Sequence, residues 1–145
     1  MSRPSETAQL KQVPRFANLS KRELKAVAEA GTFVHLPANW ALMSETTPAD
    51  KAYVILSGEV AIRHHGETVA TVGAGDIIGE VGVLEKRLRT ASVVSMTELQ
   101  VVHFTNEHLT ELIDQIPALG EALRATAQAH KDADEARKGS SAPQD

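Results

Sequence analysis

The chain has 145 residues, carries a formal net charge of −4 at pH 7 and contains no cysteine. A chain of this length fits one domain with a sizeable core, because it buries roughly two thirds of its unfolded surface. The acidic balance argues against non-specific binding to nucleic acid, which requires a basic face. The lack of cysteine excludes disulfides, thiolate metal sites and cysteine nucleophiles together.

Hydrophobic residues make up 42% of the chain, but aromatic residues make up only 3%, so the core must be built mainly from Val, Leu, Ile and Ala. No apolar run approaches the roughly 18 residues of a membrane span. Residues 1–12 also lack the apolar stretch of a signal peptide. The sequence therefore predicts a soluble cytoplasmic protein.

The N-terminal part predicts a flexible segment followed by one short amphipathic helix. Residues 1–12 are polar and are expected to be flexible. Ser20 with Glu23 three residues later is the pattern of a capping box, and Gly31 marks the end of the helix. The apolar positions of this helix are Leu24, Val27 and Ala28.

The middle of the chain, from Thr32 to Phe104, has the pattern of short β-strands separated by turn signals. The apolar runs are residues 33–36, 53–56, 60–62, 69–72, 91–94 and 99–104. The turn signals are residues 37–39, 57–58, 65–66 and 73–76. Short strands at this spacing predict a mainly β fold, either an antiparallel β-barrel or a jelly roll of the double-stranded β-helix type.

The C-terminal part predicts two helices and a tail. Leu109, Leu112, Ile113 and Ile116 share one helical face, and Pro117 interrupts the run. A second helix is expected over residues 118–138, and residues 139–145 have the composition of a disordered tail. The domain is therefore expected to span residues 13–138. The second helix has a narrow apolar face, which comprises Leu119, Leu123, Thr126 and Ala127. This face either packs on its own domain, which the pattern favours, or contacts a second copy of the chain in a dimer.

The segment GEVGVLEKRLRTA at residues 79–91 lies between two predicted strands. Gly79 has no side chain, so a ligand can approach its amide closely. One helical turn after Gly79 would offer unpaired N–H groups suited to an anion. Arg89 can add a bidentate fork to a phosphate, and Glu80 can accept hydrogen bonds from sugar hydroxyls. Thr90 adds a hydroxyl that could reach the phosphate or a base.

This segment resembles the phosphate-binding cassette of cyclic nucleotide-binding domains, the family of the catabolite activator protein, the regulatory subunits of cyclic-AMP-dependent kinase and cyclic-nucleotide-gated channels. The resemblance also covers VPRFANLS at residues 13–20, ADKAYVILSGEV at 49–60 and GDIIGE at 75–80. It implies that Glu80 binds the ribose 2′-hydroxyl and that Arg89 binds the cyclic phosphate. The ligand-binding residues are then Gly79, Glu80, Val81, Gly82, Arg89, Thr90 and Ala91, with cyclic AMP or cyclic GMP as the regulatory ligand and no metal.

The sequence departs from the family pattern at four positions. Asn39 and Thr46 stand where the family often has glycine, and Leu88 stands where a proline usually precedes the arginine. The residue after the arginine is often alanine in sites selective for cyclic AMP and threonine in sites selective for cyclic GMP. Some bacterial cyclic-AMP receptors carry a hydroxyl residue at this position, so Thr90 admits either ligand, and cyclic AMP is the ligand expected for the module. No aromatic side chain in residues 122–138 is available as a lid over the base.

Neither a metal-dependent enzyme of the cupin type nor an enzyme with a serine nucleophile is indicated by the spacing of the histidine and serine residues. His64 and His65 are adjacent and would point to opposite faces of a strand, and no pair of histidines has the spacing of a cupin metal site. No Gly-x-Ser-x-Gly elbow occurs either. The chain is therefore not expected to be an enzyme. Taken alone, Glu80 and Arg89 could also form an ordinary ion pair at the rim of the β-domain.

Residues 106–145 are too few for a helix-turn-helix module, a kinase domain or a channel span. The chain is therefore expected to be a sensor module with no attached effector domain. Its partners are expected to be the cyclic nucleotide and either a protein or a second copy that contacts the C-terminal helices, with neither nucleic acid nor a membrane involved. The alternative is a degenerate barrel that acts as a protein–protein interaction module without a ligand.

Overall fold

The β-strands form two four-stranded sheets in the computed structural model, which describes residues 4–44, 51–79 and 91–141. The described strands are β1 (Thr32–Leu36), β2 (Ala41–Met43), β3 (Lys51–Ser57), β4 (Glu59–His64), β5 (Glu67–Gly73), β6 (Ile77–Ile78), β7 (Ser92–Ser95) and β8 (Leu99–Thr105). The first sheet has the order β1-β8-β3-β6, the second has the order β2-β7-β4-β5, and the paired strands are antiparallel.

Two packed four-stranded sheets are the architecture of a jelly roll, so this part of the sequence prediction is confirmed. The prediction of a closed barrel is wrong, because no pairing among the described strands joins one sheet to the other. The physical reason is the length of two edge strands. β2 has three residues and β6 has two, which is too short to carry a hydrogen-bond ladder from one sheet into the next.

The first sheet is buried on both faces. Ile55, Leu99 and Val101 are fully buried against the second sheet, where they join Val60 in one hydrophobic cluster. Alternate residues of the same strands, such as Val54, face a second cluster formed with the helices. Burial on two sides explains why the segment at 52–56 is an uninterrupted apolar run rather than an alternating one.

Helices cover the outer face of the first sheet. They are α1 (Pro4–Lys11), a 3₁₀ helix (Pro14–Phe16), α2 (Lys21–Ala30), α3 (Asn106–Gln115) and α4 (Pro117–Ser141). The predicted capping box at α2 is confirmed. The Glu23 N–H donates to Ser20 Oγ at 3.1 Å, and the Ser20 N–H donates to Glu23 Oε1 at 2.8 Å. At the other end of α2, a β-carbon on Gly31 would lie 2.4 Å from Val102 Cγ2, so only glycine fits there.

Both chain ends differ from the expectations for residues 1–12 and 139–145. Residues 4–11 are helical, and the Leu10 side chain is fully buried in the cluster under the helices. The sequence does not reveal this, because a single leucine among polar residues makes no periodic pattern. α4 continues to Ser141, since its Ala-, Glu- and Lys-rich run favours helix, while residues 142–145 lie outside the described residues. The N-terminal part thus holds two α-helices and a 3₁₀ helix instead of one helix.

The C-terminal helices meet at Pro117, as predicted. Leu109, Leu112 and Ile116 of the first run are buried against the sheet, together with Leu119 and Leu123 of α4. Thr126 and Ala127 are buried as well, with 4% and 5% of their surface exposed. The apolar face of the first half of α4 therefore packs on its own domain, which is the arrangement that the sequence favours.

Candidate functional site

The segment at residues 79–91 connects the two sheets. Gly79 directly follows β6, whose residue Ile78 pairs with Tyr53 of β3 in the first sheet. Ala91 directly precedes β7, whose residue Ser92 pairs with Arg63 of β4 in the second sheet. The chain therefore leaves one sheet at Gly79 and reaches the other at Ala91, so the ends of the candidate site are held by two facing sheets.

Gly79 and Ala91 are the two predicted ligand-binding residues that the structure describes, and both are partly buried. Gly79 has a φ of 84°, in the left-handed region that favours glycine. This backbone requirement gives the glycine a reason that is independent of any ligand. The remaining predicted residues lie outside the described residues; they are Glu80, Val81, Gly82, Arg89 and Thr90.

A hydrogen-bonded turn fixes the approach to Gly79. The Gly73 N–H donates to Asp76 Oδ2 at 2.9 Å, which closes the turn between β5 and β6. The Ile55 N–H donates to the Asp76 carbonyl at 2.9 Å, and the Gly75 N–H donates to the Ile55 carbonyl at 2.7 Å. These bonds attach the turn to β3 and so fix the point from which β6 leads to Gly79.

Tyr53 links the two sheets beside the site. Its hydroxyl donates to the Leu42 carbonyl of β2 at 3.2 Å, and its ring meets the ring of His103 edge-on at a centroid distance of 5.9 Å. Tyr53 is also the register partner of Ile78, the residue before Gly79. The sequence identified Tyr53 as a strand residue, but nothing in the sequence indicated that its hydroxyl would join the second sheet.

The β4–β5 hairpin lies next to the other end of the site. Because Arg63 pairs with Ser92, the following residue, His64, is the neighbour of Ala91 across the strands. His65 has a φ of 52° and Gly66 a φ of 82°, the left-handed pair of a type I′ turn. The two imidazole rings lie 4.1 Å apart at 54°.

This contact between the rings corrects the expectation that His64 and His65 point to opposite faces. The reason is that His65 leaves the extended conformation in the turn, so the alternation of a strand no longer applies to it. The His65-Gly66 pair is the signal that could have shown this, since a left-handed residue followed by glycine is typical of a two-residue hairpin.

The turn that contains Asn39 accounts for one departure from the resemblance. Asn39 has a φ of 63°, a conformation that glycine adopts freely and that asparagine tolerates better than other residues. Asparagine therefore preserves the left-handed turn where related domains often have glycine. Thr46 and Leu88, which also depart from the family pattern, lie outside the described residues.

Within residues 4–44, 51–79 and 91–141, no group of three or more His, Cys, Asp or Glu side chains is arranged to hold a metal ion. None of the described helices combines the length and the apolar character needed to cross a membrane.

Comparison with known proteins gives consistent matches. The family model of the cyclic nucleotide-binding domain matches residues 33–116. An uncharacterized NTE family protein of Mycobacterium bovis is 33% identical over 121 residues, which cover 82% of this chain and 21% of that protein. A cAMP-dependent protein kinase regulatory subunit of Yarrowia lipolytica is 31% identical over 109 residues, which cover 74% of this chain and 29% of that subunit.

Among solved structures, the catabolite activator protein of Thermus thermophilus superposes with a TM-score of 0.76 at 25% identity, covering 88% of this chain and 63% of that chain. The chain spans about a fifth of the Mycobacterium bovis protein and under a third of the kinase subunit.

Proposed function

The chain belongs to the cyclic nucleotide-binding domain family, and we propose that it is a regulatory module that binds cyclic AMP at residues 79–91. One observation carries this proposal. The family match over residues 33–116 includes the whole segment whose two ends, Gly79 and Ala91, are held by facing sheets. A ligand held there would contact both sheets at once, which gives ligand binding a direct route to the packing of the domain.

We assign the roles within this segment by the chemistry of each residue. Gly79, Val81 and Gly82 offer backbone N–H groups to the phosphate, and the lack of a side chain at Gly79 and Gly82 lets an anion approach the main chain. Arg89 forms a charge-assisted bidentate pair with the phosphate oxygens. Glu80 accepts a hydrogen bond from the ribose 2′-hydroxyl. Thr90 and Ala91 complete the contacts, with the Thr90 hydroxyl directed to the phosphate or the base.

Cyclic AMP is preferred over cyclic GMP because of the similarity to a subunit named for its dependence on cyclic AMP. Thr90 keeps cyclic GMP as the competing ligand. We further propose that the module, spanning residues 13–138, works in the cytoplasm without catalysis of its own. Its output is then a protein partner or a second copy that reads the position of the C-terminal helices.

The test of this function is isothermal titration calorimetry of the purified chain with cyclic AMP, cyclic GMP and 5′-AMP. We expect cyclic AMP to bind with a dissociation constant on the order of micromolar or tighter. We expect 5′-AMP to bind much more weakly, because its open phosphate has a different shape and charge. Absence of binding by all three ligands would instead support the alternative, an interaction module that has lost its ligand.

Replacing Glu80 with alanine is expected to remove the discrimination for the ribose hydroxyl. The wild-type chain should bind cyclic AMP more tightly than its 2′-deoxy analogue by roughly tenfold or more, since a hydrogen bond to a charged group contributes about 1.5–3 kcal/mol. In Glu80→Ala the two ligands should bind equally. Titration of both ligands into both proteins measures the ratio.

The matched control is Glu85→Ala, which removes a carboxylate from the same segment at a position with no proposed contact. It should keep the wild-type ratio. A Glu80→Ala variant that still prefers cyclic AMP over the 2′-deoxy analogue by the wild-type ratio would contradict the role given to Glu80.

A further inference from the structure

The second sheet has an outer face that none of the described helices packs against. The hydrophobic cluster under the helices contains residues of the first sheet and no residue of β2, β4, β5 or β7. Val60 and Ile62 of β4 point into the core between the sheets. Their neighbours Glu59, Ala61 and Arg63 therefore point outward, because side chains alternate along a strand. This outer face consists of these three residues and of the outward residues on the strands beside them.

The centre of the outer face is small and uncharged. One row of register partners crosses β2, β7, β4 and β5, and it comprises Ala41, Val94, Ala61 and Thr71. A solvated face of an antiparallel sheet normally carries polar side chains along its strands. Small residues in the centre instead leave room for another layer, at the separation of about 10 Å at which two sheets pack.

Two large apolar side chains border this row at one end. Trp40 and Met96 are 51% and 49% exposed, and they are the large hydrophobic residues that the described part of the chain leaves exposed. The Met96 N–H donates to the Glu59 carbonyl at 2.9 Å, and Trp40 directly precedes β2 on the other side of β7. Both therefore lie at the Glu59 end of the outer face. At the opposite end, β7 carries the small residue Ser92 beside Arg63.

The charges on the outer face are self-complementary. Glu59 and Arg63 are both exposed and stand at opposite ends of β4. Four residues along a strand separate them by about 13 Å, so they cannot pair with each other within one chain. In the part of the chain that the structure describes, neither forms a salt bridge. The register partners of Glu59, Ala61 and Arg63 on β5 and β7 carry no charge.

We propose that this outer face binds the same face of a second copy of the chain, with the two β4 strands antiparallel. A two-fold axis along the central row places Glu59 of each copy opposite Arg63 of the other, which forms two symmetric ion pairs. The same axis places Met96 over the partner's Ser92, so a large residue meets a small one. The inference needs no bound nucleotide and is therefore independent of the proposed function.

The size of the outer face sets the expected strength of the dimer. Four strands that are spaced about 4.8 Å apart and are about five residues long cover roughly 19 by 16 Å. This area is at the small end of the range of specific protein interfaces. The dimer should therefore be weak, with a dissociation constant on the order of 100 µM.

Sedimentation equilibrium of the purified chain between roughly 10 and 500 µM measures this association. The wild-type mass should rise toward that of a dimer. Arg63→Glu and Glu59→Arg should each raise the dissociation constant roughly tenfold or more, because both symmetric pairs become repulsive. The double variant Glu59→Arg/Arg63→Glu should regain the wild-type association. An equimolar mixture of the two single variants should regain it as well, because opposite charges again face each other.

The fluorescence of Trp40 gives a second readout, since it is the single tryptophan of the chain. Its emission should shift to shorter wavelength as the concentration of the wild type rises, because the indole leaves water at the border of the interface. The emission of Arg63→Glu should stay constant over the same range. A shift of equal size in both proteins would contradict the proposed interface.

Arg22→Glu is the control, because Arg22 is an exposed residue of α2, which packs on the first sheet. It should keep the wild-type association. A wild-type chain that stays monomeric over the whole range would overturn the inference and leave the outer face to a different protein. A dimer that both single variants keep in full would also overturn it, since the contact would then lie elsewhere. The same holds if the double variant and the mixture associate as poorly as the single variants.

Discussion

Arg89→Ala is expected to remove most of the affinity for cyclic AMP. Arg89 is proposed to neutralise the phosphate with two parallel hydrogen bonds, and its loss leaves a charged ligand without its partner. Hydrogen bonds to charged groups contribute about 1.5–3 kcal/mol each, so two of them correspond to a loss of roughly a hundredfold or more. Calorimetric titration of the wild-type and variant chains with cyclic AMP measures this loss.

Arg87→Ala is the matched control, because it removes the same charge from the same segment two residues earlier. It should bind cyclic AMP about as well as the wild type. Arg89→Lys should bind with intermediate affinity, since lysine keeps the charge but cannot form the fork. Equal losses in Arg87→Ala and Arg89→Ala would mean that general electrostatic attraction, and not a specific contact, holds the nucleotide.

Gly58→Ala is expected to cause a large loss of stability. Gly58 lies in the tight turn between β3 and β4 with a φ of 97°, which residues with a β-carbon rarely adopt. A β-carbon there would also lie 2.3 Å from the Glu98 carbonyl oxygen and 2.6 Å from Leu99 Cδ2. The backbone strain alone costs about 1–2 kcal/mol, and the clash with a main-chain atom should raise the total to roughly 3 kcal/mol or more.

Gly66→Ala separates the two contributions. Gly66 also has a left-handed φ, 82°, but a β-carbon there would meet nothing within 4 Å. This variant should lose only the cost of backbone strain, about 1–2 kcal/mol. Urea unfolding of the three proteins gives the free energies. A Gly58→Ala variant that loses no more stability than Gly66→Ala would show that the Glu98 segment shifts easily, and that this turn is not tightly held.

The two stability variants lie in turns at the two ends of β4: the Gly58 turn joins β3 of the first sheet to β4 of the second, and the Gly66 turn joins β4 to β5 within the second sheet. The Gly58 turn lies at the start of β4. There the N–H of Met96, the residue after β7, donates to the Glu59 carbonyl at 2.9 Å. The Gly66 turn lies at the other end of β4, beside Ala91. Loss of nucleotide binding in Gly66→Ala at temperatures where the protein is folded would therefore support the placement of the hairpin next to the ligand.

Short-range patterns in the sequence predicted several elements correctly. The capping box of Ser20 and Glu23, the buried face of α2 and the break at Pro117 all depend on residues within a few positions of each other. Gly79 was predicted to allow the close approach of a ligand, which stays a prediction; its φ of 84° favours glycine for a reason that is independent of any ligand. The family was also identified from local motifs, because the resemblance lies in runs of consecutive residues at 13–20, 49–60 and 75–91.

Contacts between distant residues were decided by the tertiary structure alone. The sequence does not show that Tyr53 joins Leu42 across the sheets, that Leu10 is buried, or that Gly58 faces Glu98. It also did not distinguish a closed barrel from two sheets, because the strand pattern is the same in both. The roles of Glu80 and Arg89 remain predictions, since these residues lie outside the described residues.

The difference between what the sequence predicts and what only the tertiary structure decides has a physical reason. Caps, turns and helical faces arise from hydrogen bonds and packing within about four residues, so their signals are written in consecutive positions. Sheet order and the burial of a lone side chain depend on which distant segments pack together, and the same local pattern fits several arrangements. The sequence by itself therefore determined the family of this protein and most of its helices and strands, though not α1 and the 3₁₀ helix. Only the tertiary structure showed that the β4–β5 hairpin, through the pairing of Arg63 with Ser92, lies next to the end of the proposed site at Ala91.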